Sequence, residues 1–354
     1  MTQSSATSEL EKTDRAAIHC TVGIVGAGAI GCFLGGILSQ DKHLEVQFFG
    51  RETIGQELAE HGLGVLVGEF THRQPHVAFY TSQATLLECD VILVTVKATA
   101  LPQLIPQIKK HARSDVPIVA MQNGIGVAAM FEAQLSNPIY RSIVPFNVVK
   151  QCPGLFAKAS GGDLLWPQTG NRRLQYLSRV FSSFGLPVQD VVDMQSAEYG
   201  KLLLNLNNAL NAVSDLPLRL QLLDHHLRRV LAQAMTEWLE ICRKAGVQPR
   251  TYTAAPAHWL PHVLRLPTPI FRLIARQMLA IEPFARSSMW DDVQAGRRTE
   301  VMYLNGAVVN AGIIYGVPTP VNSAIVDLIK HLEQGEKLGL SAQALSSLLL
   351  ADKS

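Results

Sequence analysis

Short runs of β-branched and aromatic residues separated by helix-compatible stretches dominate the first half of the chain. They predict strands at 19–25, 44–49, 91–96 and 117–121, with helices between several of them. Residues 62–80 alternate as a small antiparallel excursion does. Further strand signals fall near 140–149, 155–160 and 188–192, with a helix near 172–184. This is the pattern of a doubly wound α/β sheet with extra strands at one edge. Beyond residue 193 the period lengthens. Helices are predicted over 195–213, 218–245, 268–281, 284–296, 299–315, 321–332 and 341–351. The chain therefore divides into an α/β domain over 18–193 and an all-α domain over 194–354, and two such domains commonly bind a ligand between them. Residues 1–17 are polar, mixed in charge and without an apolar core, and are expected to be a disordered tail rather than a signal peptide.

The proline-rich piece 249–269 interrupts the helical pattern. Its Trp259, His262 and Arg265 suit a lid, a dimer contact or plain surface, and packing is the favoured expectation.

The first strand runs directly into Gly26-Ala27-Gly28-Ala29-Ile30-Gly31. Each glycine has a separate task. Gly26 permits the tight turn, Gly28 lets a pyrophosphate approach the backbone, and Gly31 lets the next helix pack on the strand. A dinucleotide phosphate would sit on the free N–H groups at that helix's start. The alternative is a glycine-rich turn in another α/β fold. The second strand ends in Gly50-Arg51, where NAD-preferring sites place Asp or Glu. A guanidinium there suits a 2′-phosphate, so NADP(H) is the expected cofactor. Glu52 beside it keeps a solvated surface Arg as the alternative.

Composition narrows the class. The chain has 354 residues, 47% hydrophobic and 17% charged, with a net charge of +2. That is enough apolar material for two cores, and no electrostatic case for nucleic acid or a membrane surface. No run approaches the roughly 18 apolar residues that span a bilayer. Five cysteines without CxxC or zinc-type spacing predict buried free thiols, no metal site and a cytoplasmic protein.

Other polar residues stand at strand ends and on helices. Lys97 closes VTVK, where it would reach a cofactor phosphate or ribose, or lie at a helix start on the surface. Asn123, in Gln122-Asn123-Gly124, follows a core strand. Its amide suits the nicotinamide region or a substrate oxygen, although Asn-Gly also makes an ordinary turn. On the predicted helix 195–213, Lys201, Asn205 and Asn208 share one face, with Leu202, Leu203, Leu206, Leu210 and Val213 available to pack around the rest. A polar stripe on so apolar a helix costs stability unless it is satisfied or used. A cleft lysine of this kind can act as proton donor, the alternative being a snorkelling Lys with helix-binding Asn residues. Ser288 would bind a carboxylate. Glu300 follows Thr299 and would otherwise be a first-turn Glu stabilised by the helix dipole, while Asp291 and Asp292 would be cap or surface charge.

In this order, GAGAIG, VTVK, QNG, Lys201-x-x-x-Asn205 and SSMxxD…RTEVxxLNG resemble the ketopantoate reductase family from about residue 20 to 330. The resemblance implies a Rossmann-type domain followed by a helical domain like the C-terminal domain of 6-phosphogluconate dehydrogenase. It implies NADPH-dependent reduction of 2-dehydropantoate to (R)-pantoate. The family's cofactor-binding residues match Gly26, Ala27, Gly28, Ala29, Ile30, Gly31, Arg51, Lys97, Asn123 and Glu300. Its proton donor matches Lys201, with Glu300 beside the reacting hydroxyl. Its substrate-binding residues match Asn123, Lys201, Asn205 and Ser288.

Three departures fall on the substrate side. Ala209 stands where the family often has a further Asn, Ala285-Arg286 replaces an Asn before the serine pair, and 249–285 is long and proline-rich. They keep open a related 2-oxo or hydroxy acid dehydrogenase, and a non-catalytic NADP(H)-binding sensor as the more distant alternative. The expected partners are a small 2-oxo acid and a second copy through the helical domain, with no nucleic acid or membrane.

Overall fold

A computed structural model describes residues 19–276, 278–280 and 282–351. The expected tail over 1–17 lies outside the described residues. The chain forms two compact units. Among the described residues, one comprises those within 1–96, 102–121 and 131–192; the other comprises those within 97–101, 122–130 and 193–354. Two short pieces that follow strands of the sheet thus belong with the helical unit.

In the first unit, six strands form one parallel sheet: β1 (Cys20–Val25), β2 (Leu44–Phe49), β5 (Ala78–Tyr80), β6 (Val91–Val94), β7 (Ile118–Ala120) and β8 (Ile139–Arg141), in the order β5-β2-β1-β6-β7-β8. Val22 and Ile24 of β1, Phe48 of β2 and all of β6 are fully buried, as strands covered on both faces require. The order reverses beside β1, so the carboxyl ends of β1 and β6 mark the topological switch point, where this architecture takes its ligands.

The extra strands do not extend one edge, as the sequence pattern suggested. β3 (Leu63–Val67) and β4 (Phe70–Gln74) form the expected antiparallel pair. They then join β9 (Val148–Cys152) and β10 (Leu155–Lys158) in a separate four-stranded sheet. β11 (Leu164–Pro167) and β12 (Val188–Val191) pair with each other. The helix Ala29–Leu38 explains the separation. A side chain at its Gly35 would meet the Phe48 ring of the main sheet, and one at Gly36 would meet Val65 and Leu63 of the second sheet. This buried apolar helix is the layer between the two sheets.

The helical unit is built on Met194–Ser214 and His225–Ala245. Leu202, Leu203, Leu206, Leu210 and Val213 all lie in its core. The helix expected over 218–245 is broken at Asp224. Its carboxylate accepts from the His226 and Leu227 N–H groups at 2.8 and 3.1 Å and starts a new helix, as an N-cap Asp does. The helix expected over 284–296 shortens to Ser288–Gln294, capped by Ser287. The one expected over 299–315 becomes a 3-10 turn, Val301–Tyr303, followed by Asn305–Tyr315. The helix expected over 268–281 is Thr268–Ile274.

The proline-rich piece is itself partly helical, over Leu260–Arg265. Arg265 donates to Gln233 and Thr236, which is packing, whereas Trp259 is exposed. Buried Arg228 ties this piece down by donating to the Leu264 and Leu266 carbonyls. Cys20, Cys32, Cys89 and Cys242 are buried, with thiols pushed up to about 12 by burial, while Cys152 is exposed.

Candidate active site

The glycine loop occupies the carboxyl end of β1. Gly26 adopts φ +113, and a side chain there would meet the Val96 N at 2.6 Å. The Thr95 hydroxyl donates to the Gly26 carbonyl at 2.7 Å and holds the turn. A side chain at Gly31 would strike that same carbonyl. Gly28 differs from both. It has φ −88, and a Cβ on it would meet nothing within 4 Å. The local fold therefore does not demand glycine at position 28. The helix that follows has no side-chain cap and no acidic residue in its first turn. Its free N–H groups and positive dipole end are left for an anion. Ala27 is buried, and Ala29 and Ile30 form the first turn. These residues fit a dinucleotide pyrophosphate.

Arg51 stands just beyond β2, exposed, in the capping position of the helix Glu52–His61. Its guanidinium makes no ion pair among the described residues, and Glu52 beside it binds Gln56 instead.

The remaining candidates belong to the helical unit. β6 ends at Val94, so Lys97 lies three residues past the strand, at the start of a short 3-10 turn. Its ammonium is half-exposed and held by the buried Asp292 carboxylate at 2.5 Å. Arg297 donates to the same carboxylate at 3.0 Å. Asp292 is thus neither cap nor surface charge but the buried anchor of two cations. Its place one helical turn after Ser288 was the available signal.

Next to this pair, the Ala98 N–H donates to Glu300 Oε1 at 2.8 Å, and the Asn123 amide also bonds the Glu300 carboxylate. Burial holds the Glu300 carboxyl above its ordinary range; the Ala98 N–H, Lys97 and Asn123 oppose the shift, while Asp292 adds to it. Glu300 is therefore not an ordinary first-turn carboxylate. It sits in a network that brings Lys97, Asn123 and Asp292 together. Gly124 turns the chain at φ +95, and a side chain there would strike the Tyr303 carbonyl.

Lys201 and Asn205 lie one turn apart on Met194–Ser214, each partly buried. Asn205 Nδ2 is buried and has no hydrogen-bond partner. Other asparagines of this helix are committed to structure, since Asn207 and Asn211 both bond Gln221. The two serines at 287 and 288 divide their tasks. Ser287 donates to the Asn208 carbonyl at 2.9 Å and caps Trp290, whereas Ser288 is exposed at the start of its helix.

This layout has relatives. The sequence profile of "Ketopantoate reductase PanE/ApbA" matches residues 22–170, and that of its C-terminal domain matches 193–333. The chain belongs to the ketopantoate reductase family. A 2-dehydropantoate 2-reductase of Halobacterium salinarum is 24% identical over 313 residues, covering 87% of this chain and 97% of the relative. One from Vibrio cholerae is 26% identical over 268 residues, covering 71% and 80%. The crystal structure of a PanE/ApbA family ketopantoate reductase from Ralstonia eutropha JMP134 superposes with a TM-score of 0.76 at 26% identity, covering 89% of this chain and 99% of that one. A D-mandelate dehydrogenase bound to NADH and anilino(oxo)acetate shares the fold, with a TM-score of 0.72 at 20% identity over 89% of this chain and 99% of that one. Family membership makes the protein an oxidoreductase dependent on a nicotinamide dinucleotide. Among the described residues, no helix is long and apolar enough to cross a membrane.

Proposed function

We propose that the protein reduces 2-dehydropantoate to (R)-pantoate with NADPH. In this reading, residues 18–193 carry the cofactor, and residues 194–354 carry the substrate and the contact of a cytoplasmic homodimer. The observation that carries the reading is the orphaned Asn205 amide one turn from Lys201 on a buried helix. A buried polar group without a partner costs about 1–3 kcal/mol and persists where a ligand uses it.

Bound NADPH would supply a hydride to the ketone carbon. As that addition makes the ketone oxygen an alkoxide, Lys201 stabilises the charge and donates the proton. Asn205 and Ser288 orient the substrate's carboxylate and hydroxyl. Asn123 and Glu300, already bonded to each other, hold the nicotinamide end and the reacting hydroxyl. Gly26 to Gly31 receive the pyrophosphate, and Arg51 and Lys97 the phosphate and ribose side.

Two results test these assignments. Asn205→Leu removes the orphaned donor at similar volume, so thermal unfolding should show a gain of about 1 kcal/mol while turnover falls steeply. A loss of stability with turnover intact would give Asn205 a purely structural role. Arg51→Ala should weaken NADPH binding about tenfold and leave NADH binding unchanged, as the loss of one charge-assisted contact predicts. Equal weakening of both would remove Arg51 from cofactor selection.

A second reading keeps the mechanism and changes the acid. Ala209 is fully buried in the helical core, where the family often has a further substrate Asn, and Asn208 stands one residue away. A related 2-oxo acid, differing where that amide would bind, fits these residues as well.

A further inference from the structure

The stretch 248–252 has no part in the site so far, yet it lies along the turn of Met194–Ser214 that precedes Lys201. The Ser196 hydroxyl donates to the Gln248 carbonyl at 2.5 Å, and the Arg250 N–H donates to the Ser196 carbonyl at 2.9 Å. The Tyr252 hydroxyl donates to the Ala197 carbonyl at 2.9 Å. From the helix His225–Ala245, the Trp238 indole N–H donates to the Tyr199 carbonyl at 3.0 Å, with its ring 4.7 Å from that of Tyr199. Three helix carbonyls within four residues therefore accept bonds from outside the helix. Gly200 is what permits the approach, because a side chain there would strike the Arg250 carbonyl. Residue 201 follows at once.

We infer that this strut, and the Tyr252 hydroxyl in particular, sets the rotation and height of the helix so that Lys201 and Asn205 meet the substrate; Tyr252 is a positioning residue. A helix held only by apolar packing can rotate or slide slightly at small cost. Three directional bonds to backbone carbonyls within four residues remove that freedom at the turn where the proton donor is mounted. Ala197 makes the link most direct, since its carbonyl is the one that the Lys201 N–H reaches in a regular helix. The inference rests on the reading of Lys201 as proton donor.

The test is a double-mutant cycle with Tyr252→Phe and Lys201→Ala, measured as single-turnover oxidation of NADPH, with NADPH binding and thermal unfolding recorded for each variant. Tyr252→Phe keeps the ring and removes only the donor. The expected result is a fall in kcat of about three- to tenfold with NADPH binding unchanged, the loss that one hydrogen bond's worth of positioning carries. In the Lys201→Ala background the same change should have no further effect, because a residue acting through Lys201 has nothing left to position. Equal losses in both backgrounds would overturn the inference, and so would an unchanged kcat in Tyr252→Phe. Turnover surviving in Lys201→Ala would instead remove the reading of Lys201, and this inference with it. Turnover lost there but intact in Tyr252→Phe overturns the inference alone.

Discussion

Replacing Lys201 with alanine is expected to lower turnover by about 10²–10⁴-fold, the usual contribution of a positioned general acid. NADPH binding should be unchanged, because the groups assigned to the cofactor (the glycine loop, Arg51, Lys97, Asn123 and Glu300) all remain. The fold should also survive. Lys201 is only partly buried, and the neighbouring Leu202, Leu203 and Leu206 carry the helix's packing. Truncating one of those leucines would cost about 2–5 kcal/mol, a loss of stability that the Lys201 change should not reproduce. Stopped-flow absorbance of NADPH with saturating 2-oxo acid separates the two effects. Full turnover in Lys201→Ala would take the proton-donor role from this residue. A collapse of NADPH binding would show that the lysine serves the cofactor instead.

The second large effect is expected at Gly28. A Cβ there would meet no heavy atom within 4 Å, and the backbone at φ −88 is open to any residue. Gly28→Val should therefore fold with an unchanged melting temperature. It should nevertheless weaken NADPH binding about a hundredfold or more, roughly 2.7 kcal/mol, because branched carbon would stand where the pyrophosphate meets the free N–H groups. Gly31→Ala makes the instructive contrast. Its side chain would collide with the Gly26 carbonyl and lie 2.7 Å from Thr95 Oγ1, so that variant should lose stability as well as binding. Calorimetric titration with NADPH beside thermal unfolding distinguishes them. Normal binding by Gly28→Val would mean that the open space is not a phosphate site.

Signals carried by adjacent residues or by one helical period were legible in the chain. The glycine loop follows a run of β-branched residues, and its geometry needs only a strand, a turn and a helix in succession. The face shared by Lys201 and Asn205 follows from helical period alone, and the leucines beside them are buried as that period requires. Pairings across the sequence were not legible. Asp292 reads as a cap or a solvated charge until Lys97, 195 residues away, is seen against it. Glu300 reads as a dipole-stabilised first-turn residue until the Ala98 N–H and the Asn123 amide are placed on it. Of the two adjacent serines, only the structure shows Ser287 spent on a cap and Ser288 left exposed. The helix limits failed for a local reason: Asp224 and Ser287 cap new helices inside stretches whose apolar period runs on without a break. The second sheet was hidden because burial on both faces of Ala29–Leu38 depends on strands distant in sequence.

Reduction of a 2-oxo acid by NADPH through Lys201 is the proposal on which the rest depends. The most direct measurement follows NADPH oxidation by absorbance with 2-dehydropantoate, against a panel of branched 2-oxo acids and with NADH as the control. Fast turnover is expected with 2-dehydropantoate and NADPH, slower turnover with NADH, and near silence from the rest of the panel. Fast turnover on a different acid would preserve the mechanism and reassign the substrate, with Ala209 and Asn208 as the first residues to examine. Tight NADPH binding with no oxidation by any acid of the panel would contradict the claim.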